Sequence, residues 1–272
     1  MGEVTGISWT HSTFNPWRGC QRVSPGCEHC YAETLSKRNH ALLGQWGPPA
    51  SGGTRIIASP AMWREPLRWN SAAAKSGEPH RVFCSSLADV FEDLRELDLP
   101  RQWLWALIKA TPHLTWLLLT KRPGNVLGMV PPSWRGGAGF PPNVWMGTTV
   151  EDQRRADERI PELLRIPAPV RFLSVEPQLE RVSLSGHHPV DWVICGGESG
   201  PHARPFDLAW ARSLHNQCLQ ARVPFFFKQM GRRPIGLTHP THGPILPDHP
   251  AGADPAEFPA NLRIQQFPEV RR

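Results

Sequence analysis

Short apolar runs alternate with amphipathic stretches along most of this chain, and this alternation restricts the fold more than any other feature. The run LTWLLLT at residues 114–120 is almost continuously apolar, as expected of a strand buried on both faces. Repeated strand–helix units of this kind predict a parallel sheet with helical crossovers. The predicted strands are 81–84, 114–120, 143–149, 170–175, 191–195 and 224–228, and the predicted helices are 31–39, 99–110, 151–165 and 208–221.

This many strands in 272 residues predicts a parallel (β/α) barrel or partial barrel of the TIM-like α/β class, folded as a single domain. We place that domain at residues 1–235. Residues 236–272 form a Pro/His-rich tail that we expect to be extended and packed on the surface, or partly disordered. His239, His242 and His249 in the tail are possible metal ligands, but a solvated tail is the favoured interpretation.

The net charge of +6 is distributed unevenly. Residues 1–150 carry 15 basic and 10 acidic side chains, whereas residues 151–272 carry 15 and 14. A basic first half can attract the phosphates of nucleic acid, although a general preference for Arg explains the same composition. No run approaches the roughly 20 apolar residues of a membrane span, and the start has no signal-peptide pattern. We therefore expect a cytoplasmic protein with no membrane partner.

Polar or charged side chains follow all six predicted strands. In parallel barrels the carboxyl ends of the strands meet at one face, where ligand sites are built. The sequence therefore predicts a shared polar rim. Its members are Ser85, Ser86 and Asp89, then Thr120, Lys121 and Arg122, then Thr148, Thr149 and Glu151, then Glu176, then Gly196–Gly200 with Glu198, and finally Lys228 and Gln229. The glycines allow close backbone approach to a ligand, or simply a tight bend.

Three of the six cysteines, Cys20, Cys27 and Cys30, lie within eleven residues. In a cytoplasmic protein such a group indicates metal binding or redox chemistry more than disulfides. Structural zinc normally takes four ligands, which His11 or His29 could complete. Three cysteines without a fourth suit a [4Fe–4S] cluster with one open iron. The spacing favours the cluster only slightly, so zinc stays open.

The segment TGISWTHSTFNPWRGCQRVSPGCEHCYAE resembles the phage-associated three-cysteine-motif proteins, a family similar to radical S-adenosylmethionine (SAM) enzymes. Further matching segments are LLLTKRP, VWMGTTVEDQ, RFLSVEPQL, DWVICGGESGPHARPF and VPFFFKQMG, which extend the resemblance to Gly231. Radical SAM enzymes usually have the spacing C-x3-C-x2-C with an aromatic residue between the last two cysteines. This chain has C-x6-C-x2-C, with His29 at that position.

The resemblance implies a [4Fe–4S] cluster bound by Cys20, Cys27 and Cys30. SAM would chelate the open iron, and one electron would cleave it to a 5′-deoxyadenosyl radical that abstracts hydrogen from a substrate. The electron would come from a flavodoxin or ferredoxin type of donor. The implied cofactor-binding residues are His29, Tyr31, Glu151, Gly196, Gly197 and Glu198, and the catalytic candidates are Lys121, Glu176 and Lys228.

Two alternatives accompany this interpretation. Cys84 and Cys195 end predicted strands and could donate a hydrogen atom, but small buried hydrophobic side chains are the favoured interpretation of both. The chain as a whole could instead be a non-catalytic zinc or iron–sulfur protein that binds nucleic acid. Reduction of a bound cluster and cleavage of SAM distinguish an enzyme from such a protein.

Overall fold

A computed structural model describes residues 5–136, 139–186, 190–239, 243–244 and 246–269. The chain divides into two compact units. The first unit is formed by the residues up to Val23, by Ala32–Gly147 and by Arg165–Pro169, and the second by Ser24–Tyr31, Thr148–Leu164 and the residues from Val170 onward.

Parallel strands form the centre of the first unit. Its strands are β1 (Ser12–Thr13), β2 (Trp17–Arg18), β3 (Ile56–Ile57), β4 (His80–Cys84), β5 (Leu114–Thr120) and β6 (Val144–Thr149), of which β6 passes into the second unit at Thr148. The sheet order is β1-β4-β5-β6, with β1 parallel to β4 and β4 parallel to β5. β2 and β3 form a separate antiparallel pair. Strand β6 is buried along its whole length, because parallel sheets are covered on both faces.

The helices described in the first unit include one long helix and three four-residue helices that the sequence did not predict. They are α1 (Tyr31–Arg38, whose first residue belongs to the second unit), α2 (His40–Leu43), α3 (Pro60–Ser76), α4 (Asp98–Ala110), α5 (Val126–Met129) and α6 (Pro132–Arg135). Helix α3 carries clear end signals: Ser59 accepts a hydrogen bond from the Met62 N–H, and Gly77 ends the helix with φ of 71°. Pro66 inside the helix weakens the helical pattern, so α3 was not predicted.

The second unit repeats the strand–helix arrangement. Its elements are β7 (Val170–Val175), β8 (Trp192–Gly196), β9 (Phe206–Asp207), β10 (Phe225–Gln229), β11 (Pro234–Ile235), β12 (Thr238–His239) and β13 (Gly243–Pro244), with helices α7 (Gln153–Leu164) and α8 (Leu208–Ala221). Strand β8 lies between β7 and β10, parallel to both. Four residues of α7 at helical spacing are buried: Ala156, Arg159, Ile160 and Leu163.

The C-terminal segment pairs with strand β10. The Phe227 N–H donates to the Ile264 carbonyl at 2.8 Å, and the Gln266 N–H donates to the Phe225 carbonyl at 3.0 Å. Phe258 is only 1% exposed, and its ring centroid lies 4.9 Å from that of Phe227. This part of the predicted tail is therefore extended and contributes to the core of the second unit.

Of the three tail histidines, only His249 has a described side chain. His249 Nδ1 accepts hydrogen bonds from the Ala251 and Ala253 N–H groups at 3.1 and 3.2 Å, so it caps a turn of its own loop. His242 lies outside the described residues.

The parallel α/β class is confirmed, and each predicted strand and helix is present with ends shifted by two residues at most. Within each unit, the parallel strands lie side by side in the same order as they occur along the chain, as in a parallel barrel or part of one. Closure into a TIM-like barrel stays a prediction. None of the helices in the described ranges is long and apolar enough to cross a membrane.

Replacing Phe258 with Ala should lower the free energy of unfolding by about 3–5 kcal/mol, because it removes a buried aromatic ring and leaves a cavity. Leu246→Ala in the same segment is the control, since Leu246 is 60% exposed and should change stability little. Urea unfolding of both variants measures the difference. Equal stability of the two variants would show that the segment does not contribute to the core.

Candidate functional site

Two of the three clustered cysteines, Cys27 and Cys30, lie in a short loop of the second unit, residues Ser24–Tyr31, which we call the cysteine loop. A 3₁₀ turn at Pro25–Cys27 brings the Cys27 N–H within 2.9 Å of the Ser24 carbonyl. The Cys30 N–H then donates to the Cys27 carbonyl at 3.4 Å. Cys27 is buried and Cys30 is half-buried. The two-residue spacing therefore places both cysteines on consecutive turns, which suits two thiolates of one metal centre.

A buried carboxylate fastens this loop. Glu151, directly after β6, has no exposed surface and accepts a hydrogen bond from the Gly26 N–H at 3.2 Å. Its other oxygen accepts a hydrogen bond from Arg159 of α7 at 2.8 Å. A β-carbon at position 26 would lie 3.0 Å from the Glu151 carboxyl carbon, so only glycine fits without displacement. Glu151 thus holds the backbone of the cysteine loop.

A second fastening comes from Arg204. Its guanidinium forms a two-pronged ion pair with Glu198, with contacts of 2.6 and 3.0 Å. The same group donates to the Pro25 carbonyl at 3.0 Å and to Glu28 at 3.1 Å. Paired, planar contacts of this kind fix geometry as well as charge. Glu198, at the end of β8, is therefore connected to the cysteine loop through Arg204.

The ends of β7, β8 and β10 bring Glu176, Gly196 and Lys228 together. Lys228 Nζ lies 3.0 Å from Glu176 Oε1, and both side chains are mostly buried. A β-carbon at Gly196 would lie 2.8 Å from the same Glu176 oxygen, and one at Gly197 would lie 2.6 Å from the Met230 carbonyl oxygen. The two glycines are thus required for close packing at this strand end.

In the first unit, polar residues after β4 and β5 form one ionic cluster. Asp89 accepts hydrogen bonds from Thr120 Oγ1 at 2.7 Å and from Arg122 Nη1 at 2.8 Å. Arg122 also lies 4.0 Å from the Cys20 sulfur and 3.6 Å from Glu92. The predicted convergence of strand-end polar groups is therefore confirmed between these two strands.

Burial and this cluster both affect the pKa of Cys20. Burial first, and then the carboxylates of Asp89 and Glu92, raise the pKa of the Cys20 thiol to about 12, although Arg122 acts in the opposite direction. The metal-free protein therefore holds Cys20 as a neutral thiol at neutral pH. Metal binding at this residue has to displace the proton.

The donor set fits a metal centre in its chemistry. Three thiols within eleven residues are the soft donors that iron–sulfur clusters and zinc prefer. Within the described part of the chain, however, no three His, Cys, Asp or Glu side chains are grouped closely enough to hold a metal ion. Cys27 and Cys30 belong to the second unit, and Cys20 belongs to the first.

The remaining predicted residues have varied surroundings. The rings of His29 and His202 lie 6.2 Å apart, and Tyr31 is 47% exposed at the start of α1. The Lys121 N–H donates to Asp89 at 3.1 Å, so its backbone joins the ionic cluster of the first unit. Cofactor contacts of these residues stay predictions.

Cys84, Cys195 and Cys218 are buried. Burial raises the pKa of Cys195, whose thiol donates to Gln178 at 3.2 Å, and burial raises that of Cys218 to about 12. This environment agrees with packing roles, as favoured from the sequence for Cys84 and Cys195.

Sequence reasoning missed Arg159 and Arg204. Arg159 carried a usable signal, because it falls on the otherwise apolar stripe of α7 that faces the core. A charged residue at such a position needs a buried partner. Arg204 lies in an irregular loop, where no periodicity indicates direction.

A family model described as a protein of unknown function (DUF5131) matches residues 4–242. The chain belongs to this family. No curated protein and no solved structure matches it. The family match includes all three clustered cysteines and every residue of the predicted polar rim. The C-terminal segment that pairs with β10, at Ile264 and Gln266, lies beyond the matched residues.

Replacing Arg159 with Met should destabilise the protein by about 3–5 kcal/mol, because it leaves the Glu151 carboxylate buried without its ionic partner. Arg154→Met on the same helix is a matched control: Arg154 also pairs with a glutamate, Glu158, but on the surface. Urea unfolding should separate the two variants clearly. Adding Glu151→Gln to Arg159→Met should recover part of the loss, and the absence of recovery would contradict the buried-pair explanation.

Proposed function

We propose that the chain is a radical-SAM-like iron–sulfur enzyme in which Cys20, Cys27 and Cys30 hold a [4Fe–4S] cluster. The observation that carries the proposal is the cysteine motif, three thiols in eleven residues with two of them on consecutive turns. The bound cluster would supply the electron that cleaves SAM. The substrate is unassigned, and a nucleic acid or nucleotide is favoured by the basic first half.

The fastening of the cysteine loop supports this proposal. Glu151 and Arg204 both bind backbone atoms of the loop, at Gly26 and Pro25, and each also forms an ion pair with a buried partner, Arg159 and Glu198 respectively. A site that must keep metal ligands in place needs such supporting contacts.

The Glu176–Lys228 pair is the candidate site for the amino and carboxylate groups of SAM. The two side chains carry opposite charges 3.0 Å apart, and a zwitterionic ligand presents the complementary pair. Gly196 lets the Glu176 carboxylate lie close to the end of β8, since a β-carbon there would be 2.8 Å from its Oε1. Electron delivery by a flavodoxin or ferredoxin type of protein and a cytoplasmic location complete the proposal.

Anaerobic reconstitution with iron and sulfide tests the cofactor. The wild type should bind iron, become reducible by dithionite and yield 5′-deoxyadenosine from SAM. Cys20→Ala, Cys27→Ala and Cys30→Ala should each lose most of the iron and the product. Cys218→Ala is the control, because this buried helix residue lies outside the motif. Stoichiometric zinc without iron in the reconstituted wild type would overturn the enzyme assignment and favour a zinc protein.

The Glu176–Lys228 assignment has a separate test. Lys228→Met should weaken SAM binding at least tenfold in calorimetric titration of the reconstituted protein, with iron content unchanged. Lys109→Met, on the exposed surface of α4, should have no effect. Unchanged SAM affinity in Lys228→Met would remove the ion pair from the proposal without affecting the cluster.

A further inference from the structure

Arg18 is a buried cation without an ionic partner. The residue is only 6% exposed, and its Nε is buried without a hydrogen-bond acceptor. Among the described residues, no carboxylate forms an ion pair with it. A buried charge normally persists only when it is paired or coordinated, so the guanidinium requires an explanation.

Other buried arginines of the first unit are compensated. Arg55 forms two contacts of 2.7 Å with Glu92. Arg101 pairs with Asp98 and donates to the carbonyls of Val90 and Glu92. The fold therefore supplies acceptors to buried guanidinium groups where they have a structural role. Arg18 departs from this pattern.

The backbone at Arg18 is fixed. Arg18 pairs with Ile56 in the β2–β3 pair, and the following Gly19 N–H donates to the Leu87 carbonyl at 3.0 Å. Gly19 has φ of 104°, and the Thr54 carbonyl occupies the place of its missing β-carbon. The main chain at Arg18 and Gly19 is therefore held by neighbouring segments.

A second unpartnered donor belongs to the neighbouring segment. Ser85, directly after β4, is 5% exposed, and its hydroxyl has no hydrogen-bond partner among the described residues. The segments 14–19 and 83–87 run side by side: Phe14 N–H donates to the Phe83 carbonyl, and Leu87 N–H donates to Asn15 Oδ1. Two buried, unsatisfied donors thus follow the carboxyl ends of the paired strands β1 and β4, where parallel sheets bind ligands.

We propose that Arg18, assisted by the Ser85 hydroxyl, binds an oxyanion group of a ligand, either a phosphate or a carboxylate. A guanidinium has a planar set of donors that matches both groups, and a hydroxyl adds one further donor. This site lies within the first unit and is independent of the iron–sulfur proposal, since it requires no metal.

Titration of the metal-free, full-length protein tests the site. Inorganic phosphate, a nucleoside monophosphate and S-adenosylhomocysteine are compared by calorimetry and by Tm at constant ionic strength. We expect saturable binding of phosphate that raises the Tm of the wild type. Arg18→Met should lose at least tenfold in affinity, and Ser85→Ala should lose severalfold. Arg64→Met, exposed on α3, should bind as the wild type does.

Stability without ligand gives an independent readout. Removing an unpaired buried charge should leave the Tm of ligand-free Arg18→Met equal to or above that of the wild type, whereas loss of a structural contact would lower it. If Arg18→Met does not fold, Arg18→Lys decides, because it keeps the charge but loses the planar donor set and should bind phosphate more weakly.

The ligands distinguish the source of the oxyanion. Tighter binding of the nucleoside monophosphate than of S-adenosylhomocysteine assigns the site to a phosphate, and the reverse assigns it to a carboxylate. No saturable binding of any of the three ligands, or undiminished affinity in the folded Arg18 variants, would overturn the proposal. Because iron is absent throughout, neither result depends on whether the cysteines bind a cluster.

Discussion

The position of the cysteine loop depends on the hydrogen bond between the Gly26 N–H and the buried carboxylate of Glu151. A carboxylate with no exposed surface is stable only with strong partners, and here they are the Arg159 guanidinium and the Gly26 N–H. Glu151 follows a fully buried strand, so its own position is set by the sheet. The loop with Cys27 and Cys30 thereby takes its place from the core of the second unit.

Ion pairing is the common feature of the strand ends in this unit. Glu151, Glu176 and Glu198 are each matched by a cation: Arg159, Lys228 and Arg204. Each cation offsets part of the free-energy cost of burying the carboxylate that it pairs with. Pairing also orders the loops, because each cation comes from a different part of the chain. A charged ligand at Glu176 and Lys228 would have to compete with the existing pair.

The sequence was sufficient for the six long parallel strands and for the four longest helices other than α3, because buried parallel strands are continuous apolar runs such as 114–120. The partners of individual side chains were harder to predict from the sequence. The glycines at the end of β8 were expected to allow close approach of a ligand or a tight bend. The groups that approach them in the structure include Glu176 and the Met230 carbonyl, which periodicity cannot identify. The contribution of Phe258 to the core was also hidden, since its segment has no periodic pattern and pairs with a strand more than 30 residues earlier in the sequence.

The two units differ in how their strand-end charges are balanced. The cations that face Glu151, Glu176 and Glu198 in the second unit already have carboxylate partners, so an anionic ligand there gains affinity only by displacing one. In the first unit Arg122 and Arg55 are also occupied, by Asp89 and Glu92. Among these cations, only Arg18 is buried with no carboxylate partner and no acceptor for its Nε within the described structure. An incoming oxyanion would meet a desolvated, preorganised donor there, which is the condition under which charge-assisted hydrogen bonds contribute most to affinity.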